Sequence, residues 1–412
     1  MSEGSPPAPS PADAPRAVRR RGDRGPIYIA IAAVAVVAIV VGVGAGTSWY
    51  GLVKSSTAAC PTGVTLQGAG AAFPSAIVSQ WTTNYNKADG NTVNYAASGA
   101  GKGITDLEAA STYAFAITDE GLSASDSSTL YAAVGSFMTL PVTGGAVVMA
   151  YNLGSSYPGP LNLTGSEIAQ IYLGTITTWN DATLIANNPG LHKVSTAITA
   201  VERSDPAGMT YVVTNLMSLD NKTWRTDASL GTTISPTWPS FAGAAPESGN
   251  SAVLTKVGGT TGAIGYTDLY DAQAKSLAYA SIVDAKGVPV APTVASTAQA
   301  IADVYNATAS SLPTPTGDWS AVSWVNGSGT GDYPLATLAY MLVPLNPGTV
   351  AAITTIGEAN VLRQWVNWVA TSGQTYSRTA FPFVSPPAPL LSEDVAALAA
   401  MNFKGTPLPA CG

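Results

Sequence analysis

The chain has 412 residues, of which 46% are hydrophobic and only 10% are charged, against the roughly 25% that is usual. Its 18 Lys and Arg against 25 Asp and Glu give a net charge of −7 without a basic stripe, which argues against a nucleic-acid partner. One histidine and two cysteines exclude most zinc, haem and iron–sulfur sites, so we predict neither a metal nor a cofactor.

The N-terminal residues predict a membrane anchor. Residues 1–25 are rich in Pro, Ala, Gly and Ser and contain five arginines, which is typical of a disordered tail. The uncharged, apolar segment 27–47 is about 30 Å long as a helix, the hydrocarbon thickness of a bilayer. We predict a cytoplasmic tail over 1–25, a single transmembrane helix over 26–48, a stalk over 49–61 and an extracellular main domain, because flanking arginines favour the cytoplasm. A cleaved signal peptide is the alternative, although its apolar region is normally about 7–15 residues long.

Two cysteines flank the exported part of the chain. Cys60 opens it and Cys411 nearly closes it, and an even number of cysteines in an oxidising compartment favours a disulfide. Two free thiols, or lipidation of Cys60, are the alternatives. Asn-X-Ser/Thr sequons, which suit an exported glycoprotein, begin at Asn162, Asn221, Asn306 and Asn326.

Short apolar runs alternate with stretches of helical periodicity along the exported part. Strand-like runs cover 64–66, 92–96, 113–118, 144–151, 198–202, 262–266 and 336–344. Helical spacing covers 75–86, 104–110, 166–172, 184–187, 210–217 and 361–370. Strands that alternate with helices predict an α/β fold with a parallel sheet.

Three loops that each link a strand to a helix are candidate anion sites. They cover residues 71–73, 98–103 and 203–210. In α/β sheets, ligands bind beyond the carboxyl ends of the strands, where helix N-termini offer unpaired N–H groups and the positive end of the helix dipole to an anion. The alternative is that the glycines of these loops serve only as turns.

Five segments occur in the order found in one family of binding proteins. They are QGAGAAFP at 67–74, FAITD at 115–119, IYLGTITTWND at 171–181, RSD at 203–205 with Gly208, and GAIGY at 262–266. In these segments the chain resembles the periplasmic phosphate-binding proteins of phosphate ABC transporters, and the resemblance extends from about Thr65 to Phe403. It implies a two-lobed α/β clamshell of the periplasmic-binding-protein type II, which here follows the N-terminal transmembrane helix.

The resemblance also implies where the two lobes divide. The implied bounds are 62–143 plus 267–403 for the first lobe, 144–266 for the second lobe and 404–412 for a C-terminal tail. Gly144, Gly145 and Gly265 suit hinges between the lobes, because glycine absorbs large φ/ψ changes. Plain strand packing is the alternative for these glycines.

The same resemblance implies a ligand site residue by residue. The matching ligand positions are Ala72, Phe73, Ser98, Asp119, Arg203, Ala207, Gly208, Met209 and Thr210, with Asp205 as the ion-pair partner of the arginine. A guanidinium such as that of Arg203 binds two phosphate oxygens at once. A carboxylate such as Asp119 accepts the proton of hydrogen phosphate and rejects sulfate, which has no proton to donate. A purely structural ion pair for Arg203, and a helix N-cap for Asp119, are the alternatives.

Three positions depart from the family pattern. Ala72, Ala207 and Met209 stand where the family places hydroxyl side chains. A hydrogen bond to a charged group contributes roughly 1.5–3 kcal/mol, so the loss of three costs about 4–9 kcal/mol if the terms add. Candidates to compensate are Ser98, Lys102, Ser204 and Thr210. A weaker phosphate site, a site for another oxyanion and a scaffold without a ligand therefore stay open.

The leading hypothesis is a membrane-anchored extracellular solute-binding protein that captures inorganic phosphate and delivers it to the permease subunits of an ABC transporter. The alternative is a cell-surface or sensory protein on the same scaffold. The sequence has no Gly-x-Ser-x-Gly elbow, Walker loop or His-Glu-x-x-His motif, and its one histidine, His192, follows a surface-like turn. We therefore predict that the chain is not an enzyme.

Overall fold

The computed structural model describes residues 61–409 except 158, 228 and 378–380. The predicted cytoplasmic tail, the transmembrane helix and both cysteines lie outside the described residues. Of the helices within the described part, none is both long and apolar enough to cross a bilayer.

Strands and helices alternate along the described chain, as the sequence predicts. The strands are β1 (Thr65–Gly70), β2 (Thr92–Ala96), β3 (Phe115–Thr118), β4 (Phe137–Tyr151), β5 (Asn162–Leu163), β6 (Thr199–Arg203), β7 (Ala244–Glu247), β8 (Ala263–Asp268), β9 (Ala278–Tyr279), β10 (Ser281–Val283), β11 (Pro289–Val290), β12 (Ala336–Pro344), β13 (Phe383–Val384), β14 (Asn402–Phe403) and β15 (Thr406–Pro407). The α-helices are α1 (Ser75–Asp89), α2 (Ala100–Glu108), α3 (Ala124–Val134), α4 (Gly165–Tyr172), α5 (Ala182–Asn187), α6 (Gly208–Asp220), α7 (Lys222–Thr226), α8 (Asn250–Gly259), α9 (Leu269–Ala274), α10 (Val294–Thr308), α11 (Ile356–Ala370), α12 (Gln374–Ser377) and α13 (Ala388–Ala397).

The long strand β4 runs through both lobes. Its first part, residues 137–146, pairs with β12, and its last part, residues 147–151, pairs with β8. On the first side the strand order continues from β12 to β3, β1 and β2, and on the second side from β8 to β6 and β7. β4 therefore joins the sheets of the two lobes, and the two-lobed α/β periplasmic-binding-protein fold expected from the sequence is confirmed.

Parallel pairing directs the strand ends of each lobe to one edge. β1 runs parallel to both β2 and β3, and β6 runs parallel to both β7 and β8. The carboxyl ends of β1, β2 and β3 therefore lie side by side, as do those of β6, β7 and β8. This is where the predicted anion loops begin.

The short strands that follow β8 pair with strands that lie in the predicted second lobe. β9 pairs with residues 150–151 at the end of β4, and β10 pairs with β5. The sequence-based bound assigned these strands to the first lobe, but their backbone hydrogen bonds join them to strands of the second. The sequence could not reveal this, because β9, β10 and β5 are only two or three residues long and carry no clear alternation.

The glycine-rich loop predicted over 98–103 is largely helical. Gly101 and Gly103 lie inside α2, and only Gly99, at φ 101°, has a backbone conformation that favours glycine. A Cβ on Gly103 would lie 2.3 Å from the Cα of Gly70 on β1, and one on Gly101 would lie 2.8 Å from the Cβ of Pro206. These glycines therefore permit close packing of α2 rather than a wide loop.

Strand packing also accounts for the glycines suggested as hinges. A Cβ on Gly144 would lie 2.7 Å from the Ile301 side chain, and one on Gly145 would lie 2.9 Å from the Phe73 ring. Neither position has a positive φ. The packing alternative therefore explains both glycines, and their role as hinges stays a prediction.

Candidate functional site

The predicted loops of the two lobes meet at the N-terminus of α6. A Cβ on Gly99, just before α2, would lie 3.5 Å from the carbonyl oxygen of Pro206 and 3.6 Å from Oδ2 of Asp205. A Cβ on Gly208, the first residue of α6, would lie 2.4 Å from the Cβ of Asp119. The structure thus brings together two loops of the first lobe and the Arg203–Thr210 segment of the second.

The helices that begin near this meeting point lack side-chain caps. Their N-cap residues are Pro74 for α1, Gly99 for α2, Ala207 for α6 and Gly249 for α8, and no side chain among them accepts a cap hydrogen bond. Helices α4, α10 and α11, in contrast, begin with capping boxes. The N–H groups of Gly208 and Met209 form no hydrogen bond within the described part of the chain. These N–H groups are therefore available to an anion.

Arg203, at the end of β6, combines a structural ion pair with a free donor. Its Nε donates to Oδ1 of Asp205 at 2.8 Å, and its Nη2 donates to Oδ2. The residue is 3% exposed, and its Nη1 is buried without a hydrogen-bond partner among the described residues. The predicted ion pair is therefore present, and it leaves one edge of the guanidinium free.

Asp205 is held in its charged form. Burial raises the pKa of its carboxyl, but the hydrogen bonds from Arg203 and from the N–H of Gly249, together with the arginine charge, outweigh burial and lower the pKa below its usual value. The Gly249 N–H donates to Oδ1 at 2.9 Å. Asp205 thus fixes the guanidinium from one side and links it to the start of α8.

Aromatic residues of the second lobe fix the backbone of Arg203. The Tyr266 hydroxyl accepts a hydrogen bond from the Arg203 N–H at 3.0 Å and lies 2.7 Å from Oγ1 of Thr210. The Trp238 Nε1–H donates to the Arg203 carbonyl at 2.8 Å, and its ring packs 5.1 Å from that of Tyr172. These aromatic residues were not predicted from the sequence to lie at the site, although the GAIGY segment ends at Tyr266.

Asp119 follows β3 and is buried, with 2% of its surface exposed. Its Oδ1 has no hydrogen-bond partner among the described residues. Burial raises the pKa of Asp119 to about 7, although the positive charge of Arg203 lowers it. The N-cap alternative is wrong, because the side chain of Ser123 caps the following helix, α3.

Glu120, which the sequence analysis did not select, lies beside Asp119. It is 6% exposed, and its Oε2 is buried without a hydrogen-bond partner among the described residues. A Cβ on Gly208 would lie 2.2 Å from this oxygen. In the sequence, the only indication of Glu120 was that a second acidic residue follows Asp119 directly after the apolar run of β3.

The first predicted loop lies close to Asp119. The Tyr95 hydroxyl donates to the carbonyl of Ala71 at 2.8 Å, and burial followed by the charge of Asp119 raises the pKa of Tyr95. Phe73 is buried. The N–H groups of Ala72 and Phe73 form no hydrogen bond within the described residues. The structure therefore brings this loop to the same site.

The residues suggested to replace the missing hydroxyls differ in what they contact. Lys102 forms an ion pair with Asp106, one turn further along α2, and its side chain is 60% exposed. The N–H of Thr210 donates to the carbonyl of Ala207 at 3.0 Å, and its hydroxyl contacts an aromatic side chain. Ser98 is exposed directly before Gly99. Ser204 is likewise exposed, directly after Arg203, and neither its hydroxyl nor that of Ser98 forms a hydrogen bond within the described residues.

Similarity to known proteins extends over most of the chain. A family model described as a PBP superfamily domain matches residues 55–372. The phosphate-binding protein PstS of Xylella fastidiosa (strain Temecula1) is 33% identical over 346 residues, which cover 83% of this chain and 86% of that protein. This chain belongs to the PstS family of phosphate-binding proteins. The PstS of Methanocaldococcus jannaschii is 27% identical over 353 residues, covering 82% of this chain and 85% of that protein.

Solved structures agree on the fold. The chain superposes with a TM-score of 0.62 on the high affinity periplasmic phosphate-binding protein PfluDING, at 19% identity, covering 81% of this chain and 94% of that one. A putative phosphate ABC transporter substrate-binding protein from Clostridium perfringens gives a TM-score of 0.52 at 12% identity, covering 78% and 100%. The PstS family consists of binding proteins, not enzymes, which confirms the prediction that this chain is not an enzyme.

Proposed function

We propose that this member of the PstS family binds inorganic phosphate between its lobes and delivers it to an ABC permease. The observation that carries the proposal is a set of buried groups without partners among the described residues: Nη1 of Arg203 and Oδ1 of Asp119, beside the unpaired N–H groups at the start of α6. Arginine and N–H groups donate to an oxyanion, and a carboxylate repels one unless the anion itself brings a proton. Hydrogen phosphate meets both requirements.

The proposed ligand set consists of several hydrogen-bond donors and one acceptor. The free edge of Arg203 and the N–H groups of Phe73, Gly208 and Met209 donate to the anion, and the exposed hydroxyl of Ser98 adds a further donor. Asp119 accepts the proton of the anion. Backbone donors make the identity of side chains such as Met209 less important, because the N–H group is the same for every residue except proline.

Isothermal titration of the purified full chain with phosphate tests this proposal. We expect one phosphate per chain, and we expect Arg203→Ala to weaken binding at least 10-fold, because hydrogen bonds from a charged donor contribute roughly 1.5–3 kcal/mol. Lys256→Ala, on α8, is the matched control and should bind like the wild type. No heat with phosphate under conditions where the chain is folded would contradict the proposal.

We also propose that residues 27–47 anchor the chain in the membrane, with the main domain outside the cell. The supports are the length of the apolar run and its flanking arginines. Membranes washed at alkaline pH should retain the full chain and release a variant that lacks residues 1–48. Release of the full chain would contradict the anchor. A disulfide between Cys60 and Cys411 stays a prediction for the same exported chain.

The short strands after β8 support a later return to the first lobe than the sequence predicts. Because β9 and β10 hydrogen-bond with strands of the second lobe, we propose that the first lobe resumes near residue 291, just before α10.

A sensory protein on the same scaffold was the alternative function, and none of the comparisons favours it.

A further inference from the structure

Glu120 is a buried carboxyl group that the proposed ligand set does not use. Its side chain lies beside the first residue of α6, and Oε2 is so close to Gly208 that a Cβ there would lie 2.2 Å away. This oxygen is buried and has no hydrogen-bond partner among the described residues, and the whole residue is only 6% exposed. Glu120 therefore faces the end of α6 where the N–H groups of Gly208 and Met209 are unpaired.

The charges around Glu120 are mostly negative. The titratable groups that act on it or respond to it are Asp119 on the same loop, Asp126 on α3, Tyr211 on α6 and Tyr340 on β12. Burial, followed by the charge of Asp119, raises the pKa of Glu120 well above its usual value, although the backbone of Asp119 partly opposes this. Arg203, the nearby cation, acts on Asp119 and is already paired with Asp205. A charged Glu120 would thus be a second buried anion beside Asp119, and it forms no ion pair among the described residues.

We propose that Glu120 is a second carboxyl group of the anion site, that it keeps its proton, and that its Oε2–H donates a hydrogen bond to the bound oxyanion. The inference rests on the proposed phosphate site. A neutral carboxylic acid is a good donor to an anion, and it supplies a bond of the kind that the alanines at 72 and 207 and Met209 cannot form. Asp119 and Glu120 then have opposite roles. Asp119 accepts a hydrogen bond from the protonated ligand, and Glu120 donates a hydrogen bond to the ligand.

The inference also predicts a proton linkage. When the pH exceeds the pKa of Glu120 in the free protein, binding must take up a proton at Glu120, so the affinity for phosphate falls as the pH rises. Glu120 lines a cavity of about 280 Å³ together with Ser123, Tyr211 and Ser320. The titration of phosphate itself is common to all variants and cancels in their ratio.

Two substitutions at this position separate the possible roles. Glu120→Gln keeps a neutral donor of nearly the same shape, and Glu120→Ala removes it. Glu393→Gln, on the exposed side of α13, is the matched control. Phosphate affinity is measured for the full chain and each variant by isothermal titration from pH 6 to pH 9.

We expect Glu120→Gln to bind like the wild type near neutral pH and more tightly than the wild type at the alkaline end. Glu120→Ala should bind roughly 10- to 100-fold more weakly at neutral pH. If both variants bind more tightly than the wild type at every pH, or if neither differs, the inference is overturned. If Glu120→Ala does not fold, the pH dependence of the ratio between Glu120→Gln and the wild type decides alone. Absence of phosphate binding by the wild type would instead refute the proposed function itself.

Discussion

The carboxyl group of Asp119 contributes little to the stability of the ligand-free protein. It is buried at the end of β3, and Oδ1 has no hydrogen-bond partner among the described residues. Removal from water favours the protonated form and raises the pKa to about 7, although Arg203 opposes this. The group becomes useful when a ligand donates a proton to it. Asp119 is therefore a residue whose function is expected to reduce the stability of the free protein.

Replacement of Asp119 by asparagine should change how stability depends on pH. Folding raises the pKa of Asp119 from 3.8 to about 7, so its contribution to stability is complete below 3.8 and is lost as the pH rises through about 7. We therefore expect Asp119→Asn to be more stable than the ligand-free wild type at pH 8, and the gain to shrink toward pH 4. Urea denaturation at several pH values measures it, with Asp318→Asn, on an exposed loop, as the control. A gain that does not depend on pH would contradict this assignment.

Single residues of the site were predictable where a strand end fixes their position. Asp119 and Arg203 each follow an apolar run, so their place at the carboxyl end of a strand could be derived from the sequence. Glu120 could not be selected in this way. Adjacent residues usually point in different directions, and whether the second of two acids faces the site depends on the approach of α6, which is far away in the sequence.

Among the secondary-structure elements, α6 is central to the site because its first turn has no side-chain cap. Gly208 lets two carboxyl groups approach the helix axis. The nearest side-chain atoms are Asp119 Cβ and Glu120 Oε2, both within 2.4 Å of a Cβ placed on Gly208. The helix end is therefore shaped to keep its N–H groups accessible while acids pack around it.

Substitution Gly208→Ala should disturb both stability and binding. Because the added methyl group would meet the Cβ of Asp119, which cannot move without its backbone, we expect a loss of about 1–3 kcal/mol in the free energy of unfolding. Phosphate binding should weaken as the acids are displaced. Gly259→Ala, at the exposed end of α8 with no atom within 4 Å of the new Cβ, is the matched control. Equal denaturation midpoints for the two variants would show that the close contact at Gly208 does not matter.

Helix and strand types were predictable from periodicity, but close packing was not. The apolar spacing of 75–86 predicts a helix, and α1 covers it. The glycines at 101 and 103 indicated a loop, yet they belong to α2, because their missing side chains let the helix lie against β1 and Pro206. Glycine marks both turns and close contacts, and only the tertiary structure distinguishes them.

At the scale of the molecule, contacts across the cleft join the lobes at the site. The side-chain amide of Asn215 on α6 donates to Oγ of Ser323 at 2.9 Å, and Ser323 belongs to the segment that leads into β12. Gly99 and Gly101 of the first lobe lie against Asp205 and Pro206 of the second. The lobes are thus in contact around the proposed ligand. The short strands β9 and β10 pair with strands that are far away in the sequence, and patterns of two or three residues cannot reveal such pairing.

Loss of the Asn215–Ser323 hydrogen bond should weaken closure. A hydrogen bond of this kind contributes about 0.5–1.5 kcal/mol, so we expect Asn215→Ala to reduce phosphate affinity about 2- to 10-fold without changing the stoichiometry. Asn306→Ala, on the exposed side of α10, is the control. Isothermal titration measures both. An unchanged affinity for Asn215→Ala would mean that this contact does not contribute to the bound state.

The proposed site selects an anion that carries a proton. The most direct measurement is the ratio of the dissociation constants for sulfate and phosphate, obtained by titration of the same sample at pH 8. We expect phosphate to bind at least 100-fold more tightly than sulfate, because sulfate leaves the Asp119 carboxylate buried against an unprotonated anion, at a cost of about 3 kcal/mol or more. Equal affinity for the two anions would contradict it.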